Sequence, residues 1–132
     1  MLVEADPETC DRWSKEFGTA GHAVLAAMTM RDALPLIRDG GIDVVVIDAY
    51  DSCAGVVELA RSMEALPDAP PIVLVSGSPA APEISARISA AQFLPKPCDS
   101  SEIVAVIARL LGELRPVRSF DDEPTGSTRQ LV

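Results

Sequence analysis

The sequence predicts an α/β domain of three layers, a parallel sheet covered by helices on both faces. Two observations carry this expectation. Five short apolar runs alternate with five segments of helical period. Two of the runs, "DVVVID" and "PIVLVS", are continuously apolar and rich in β-branched residues, as strands buried on both faces are. Such an alternation implies right-handed crossovers between parallel strands.

"LVEA" reads as a short first strand. Asp6 can cap the helix that follows, with Pro7 at its first position. Cys10, Trp13 and Phe17 supply its buried stripe, and Gly18 and Gly21 bracket its exit. "HAVLAA" is a weak second strand. Thr29 to Arg38 is helical through Met30, Ala33, Leu34 and Ile37, and Pro35 should kink that helix or delay its start. "DVVVID" is the third strand, and the loop "AYDSCAG" leads from it to a helix near Val56–Ala65. "PPIVLVS" is the fourth strand, followed by "GSPAAP" and a short helix from about Glu83 to Ala90. "QFLP" is the fifth. Asp99 with Glu102 three positions later resembles a capping box, and it opens the strongly periodic "SEIVAVIARLLGEL". From Arg115 the chain turns polar, proline-containing and aperiodic. The expected organisation is therefore a domain over residues 1–114 and a linker or free tail over 115–132.

A chain of 132 residues with 48% apolar content can bury one core and is not globally disordered. Its apolar runs fall well short of the ~18 residues of a membrane span, and no signal peptide is expected. The 3 cysteines, Cys10, Cys53 and Cys98, are too scattered for a disulfide framework or a zinc site, which suits a reducing cytoplasm. A net charge of −9 is the wrong sign for binding nucleic acid. In the tail, Arg115, Arg118 and Arg129 cancel Asp121, Asp122 and Glu123, so the acidic excess belongs to the domain.

In an open parallel sheet, functional groups gather at the carboxyl ends of the strands. Glu4 and Asp6 follow the first strand, Asp48 the third, Ser76 the fourth and Lys96 the fifth. Singly these are ordinary turn, cap or surface residues. Gathered at one edge, they can handle an anion. Asp48 can act as a carboxylate nucleophile, and a divalent cation between acids can neutralise an incoming phosphoryl group. Ser76 can hydrogen-bond its oxygens, and Lys96 can pair with its charge.

At these residues the chain resembles the receiver domain of two-component response regulators, the CheY-like family. The resemblance rests on "LVEADPE", "DVVVIDAYDSCAG", "PIVLVSG" and above all "AAQFLPKPCDSSEI", and it covers residues 1 to about 114. It implies a doubly wound, flavodoxin-like sheet of strand order 2-1-3-4-5. It also implies Asp48 as phosphoacceptor, Lys96 as phosphate-pairing lysine, Ser76 and Phe93 as switch pair, and a cis Lys96–Pro97 bond. A Mg²⁺ site would involve Glu4, Asp48 and Tyr50. Implied partners are a histidine kinase or phosphotransfer protein upstream, and a protein partner or lost output domain downstream.

The family's first strand ends in two adjacent acids, and here Glu4 is followed by Ala5. By the resemblance, the absent acid is a direct magnesium ligand, so Mg²⁺ binding should be weak or lost. Asp6 is no substitute if its side chain caps the helix. Asp51–Ser52 replaces the family's usual Met-Pro, and Asp51 could lend a carboxylate. Phe93, lacking a hydroxyl, is expected to lie inward without phosphate. Two readings stand together: a phosphorylated receiver signalling by protein contact, and a pseudo-receiver docking through its fourth helix, fifth strand and fifth helix. Enzyme readings fare worse. "DAYD" lacks the Asp-x-Asp spacing and position of a haloacid-dehalogenase-like site, and "EADPE" has no glycine-rich nucleotide loop.

Overall fold

The computed structural model describes residues 1–50, 53 and 55–114. The expectations for Asp51, Ser52 and the segment 115–132 lie outside them. Five strands form one parallel sheet: β1 (Leu2–Glu4), β2 (Ala26–Ala27), β3 (Val45–Ala49), β4 (Ile72–Ser76) and β5 (Gln92–Pro95). Their order is β2-β1-β3-β4-β5, which is the doubly wound order implied above. The helices between and after them are α1 (Pro7–Thr19), α2 (Met30–Arg38), α3 (Val56–Glu64), α4 (Ala81–Arg87) and α5 (Ser100–Leu114).

Side chains alternate along the strands, so β1, β3 and β4 each feed two cores. Val3, Val45, Ile47, Ile72 and Leu74 pack with Ala33 and Ile37 of α2, with Leu59 and Met63 of α3, and with Ala81 of α4. Leu2, Val46, Val73 and Val75 face the other way, onto Trp13 and Phe17 of α1 and Ile103, Ile107 and Leu110 of α5. The continuous apolar runs of β3 and β4 follow from this double burial, since all ten of their residues are buried.

Local expectations meet the structure unevenly. Asp6 caps α1 by accepting from the Thr9 backbone N–H at 3.1 Å and from its hydroxyl at 2.6 Å. Gly18 lies inside α1 rather than beyond it, and Gly21, at φ +100°, turns the chain out. β2 shrinks to two residues at the sheet edge, where its flank Leu25 is 41% exposed. Pro35 does not delay α2. The helix starts at Met30 under a Thr29 cap whose hydroxyl accepts from Asp32 N–H at 3.0 Å. α4 starts at Ala81, two residues before the expected Glu83, because Pro82 is tolerated in a first turn. It stops early, with Ser89 left-handed at φ 54°. Half of the expected capping box forms on α5: Glu102 accepts from Asp99 N–H at 3.3 Å.

Candidate functional site

Parallel register brings the strand ends to one edge at matched depth. Glu4 of β1 lies level with Asp48 of β3, Ala49 with Ser76 of β4, and Ser76 with Pro95 of β5. Lys96 follows directly, its N–H donating to the Ser76 carbonyl at 3.2 Å, and the Lys96–Pro97 bond is cis. Glu4, Asp48 and Ser76 are the buried polar residues among those described, at 0%, 4% and 1% exposure. Buried carboxylates are costly without partners. Partners are what the surrounding loops supply.

The Lys96 Nζ stands 2.5 Å from Asp48 Oδ1 and 4.2 Å from the centroid of the Tyr50 ring, an ion pair backed by a cation–π contact. The Tyr50 hydroxyl donates a short hydrogen bond to Glu4 Oε2, and Asp6 N–H donates to the same oxygen at 3.0 Å. Glu4 Oε1 is buried with no hydrogen-bond partner. Burial pushes the Asp48 carboxyl up to about 7, and the neighbouring Glu4 adds to the effect while Lys96 opposes it. Burial and Glu4 also raise the Tyr50 phenol, so it stays a donor. A cleft of about 500 Å³ opens over Asp48, with Asp6, Arg12, Trp13, Lys96 and Cys98 among its walls. The Cys98 thiol is pushed up to about 12 by burial and Glu102, so it remains protonated and a poor nucleophile.

On the other side of the strand ends, Ser76 Oγ accepts from Ser78 N–H at 3.1 Å and lies 3.6 Å from the Cys53 Sγ. Cys53 is buried and left-handed at φ 55°. Phe93 is level with Leu74, half-buried, and packs against the core shared by α2, α3 and α4. The structure therefore brings Glu4, Asp48, Tyr50, Ser76 and Lys96 to one edge, with Phe93 a step deeper on β5.

A hard divalent cation wants about six oxygens in near-octahedral array. Ala5 offers a methyl group, Asp6 is spent on its helix cap, and Glu4 Oε2 already takes two hydrogen bonds. Glu4 Oε1 is left without a hydrogen-bond partner there, while Asp48 Oδ1, which also lacks one, is held by the Lys96 ammonium. Among the described residues no three acidic, histidine or cysteine side chains converge on one point. The donor set does not fit resident Mg²⁺.

Two residues were not foreseen. Arg12 reaches the cleft because Asp6, Thr9 and Arg12 recur at helical spacing on one face of α1, a pattern legible in the sequence. Cys53 touches Ser76 only through the fold, and no sequence signal marks it.

No family model matches the chain, and no curated protein matches it. Solved structures do match. The signal receiver domain of a signal transduction histidine kinase from Syntrophus aciditrophicus aligns at a TM-score of 0.76 and 20% identity, over 90% of this chain and 93% of that one. The Francisella response regulator 1452 receiver domain gives 0.76 and 19%, over 86% and 96%. The non-phosphorylated HemR receiver domain from Leptospira biflexa gives 0.73 and 23%, over 89% and 96%. At such identities the likeness is one of fold: the chain has the CheY-like receiver architecture.

Proposed function

We propose that this chain is a receiver-type signalling domain in which Asp48 accepts a phosphoryl group from a histidine kinase or phosphotransfer protein. The Asp48–Lys96 pair supports this reading most directly. A buried carboxylate at the end of a central strand has its own cation at 2.5 Å and a cleft above it. An ionised Asp48 oxygen attacks the donor phosphorus, and the donor's leaving group departs with the electron pair. Lys96 offsets part of the charge that arrives, and the Ser76 hydroxyl turns to a phosphoryl oxygen. That turn gives up the Ser78 N–H bond and the Cys53 contact, so it disturbs the loops after β3 and β4 together. Phe93 then follows Ser76 as the switch aromatic. The output is protein contact rather than turnover of a small molecule. A cytoplasmic setting suits such partners, and no described helix is long and apolar enough to cross a membrane.

A second reading has an observation of its own. Tyr50 already occupies Glu4, and Phe93 already packs on the core, as in a pseudo-receiver that docks constitutively. Intact mass after incubation with a small acyl phosphate separates the two. One added phosphoryl group on the wild type and none on Asp48→Asn supports the phosphoacceptor. No addition to the wild type leaves the docking module in its place.

A further inference from the structure

We infer that Arg12 supplies, at the mouth of the Asp48 cleft, the positive charge that a divalent cation would bring, so that the site takes a tetrahedral oxyanion without metal. The inference deepens the phosphoacceptor reading and rests on it.

Arg12 and Lys96 line the same cleft as Asp48. Each carboxylate around them already has at least one partner. Asp6 accepts from Thr9 twice, Glu4 accepts from Tyr50 and from the Asp6 N–H, and Asp48 holds Lys96. Arg12 is exposed, and among the described residues its guanidinium forms no ion pair with any of these acids. Its charge still reaches Asp6, where it helps to hold the carboxyl below its ordinary value after the two Thr9 bonds.

Charge balance shows why a second cation is needed. When Asp48 attacks an acyl phosphate, a carboxylate O–P bond forms and the acyl O–P bond breaks. The carboxylate leaving group takes the electron pair, and no proton is exchanged with the site. The aspartyl phosphate carries about one more negative charge than Asp48 did. Lys96 already balances the original charge, so the addition is left for another cation. A planar guanidinium suits the task, since its fork matches two oxygens of a tetrahedral anion. Ala5 and the engaged acids leave a metal poorly held at this spot.

The test is acyl-phosphate labelling read by intact mass, with Mg²⁺ and with a chelator, on wild type, Arg12→Ala and Arg12→Lys. Wild-type labelling should proceed at similar rates with and without metal. Arg12→Ala should slow it about tenfold, the loss of one charge-assisted hydrogen bond, and Arg12→Lys, which keeps the charge but not the fork, should recover only part of the rate. Labelling that requires Mg²⁺ would overturn the inference and leave the phosphoacceptor standing. Metal-free labelling indifferent to Arg12→Ala would also overturn it. If the wild type is never labelled, inorganic phosphate titrated in chelator against Trp13 fluorescence decides the matter. Saturable binding weakened about tenfold by Arg12→Ala upholds the anion site although the phosphoacceptor fails. No saturable change in the wild type up to tens of millimolar defeats the inference.

Discussion

Asp48 binds its proton more tightly than an exposed aspartate because burial disfavours its charge and Glu4 places a second acid beside it. Its pKa rises on folding from 3.8 to about 7, so in that window the native state holds a proton that the unfolded chain has lost. Native stability from this group is therefore greatest below the lower value and falls as pH rises through the upper one. Urea unfolding at about pH 5 and about pH 8 should show that fall in the wild type and a flatter response in Asp48→Asn. At the higher pH the variant should be the more stable, by about 1 kcal/mol or more. An unchanged slope in Asp48→Asn would assign the fall to another group. Tyr50→Phe should cost about 1–2 kcal/mol, because it strips a donor from the fully buried Glu4 carboxylate. A neutral result would mean that the remaining donor suffices. Positions at the carboxyl ends of strands made Glu4, Asp48, Ser76 and Lys96 legible from the chain alone. The Tyr50 phenol on Glu4 and the Cys53 thiol on Ser76 were not legible, because each contact spans more than twenty positions of chain that only the sheet brings together.

Elements with strong local codes were read nearly to the residue, and those held by tertiary packing were not. α1 begins where Asp6 and Pro7 said it would, and α3 starts at Val56 as expected. Gly55 precedes it at φ +84°, where a Cβ would stand 3.3 Å from the Met30 Cγ, so this turn favours glycine twice over. β2 misled because the six-residue run "HAVLAA", apolar after His22, pairs through only two residues at an exposed edge. Pro35 did not bring the late start that was one of its two expected effects. It sits on the exposed side of α2, and the helix tolerates it because Ala33 and Ile37 anchor the buried face. Tolerance is not absence of cost. Pro35→Ala should restore an N–H for the Arg31 carbonyl and raise stability by about 1–2 kcal/mol, seen as a higher denaturation midpoint. A destabilised variant would show that the ring itself packs usefully.

At the scale of the whole molecule, two cores on either side of one sheet hold five strand ends at a common edge. That architecture was legible because double burial forces continuous apolar runs, and it fixes which residues meet. Residues 115–132 carry no comparable pattern, so ending the chain after Leu114 should leave the thermal midpoint almost unchanged. A drop of several degrees would place Val117, Phe120 or Leu131 on the core. The central proposal is that this edge is a receiver-type acidic pocket in which the Ala5 methyl group stands where a metal-ligating acid would. Titrating Mg²⁺ into the wild type and Ala5→Asp, followed by the fluorescence of Trp13 in the cleft wall, tests it most directly. Affinity about tenfold or more tighter in Ala5→Asp is the predicted result; equal affinities would contradict the claim.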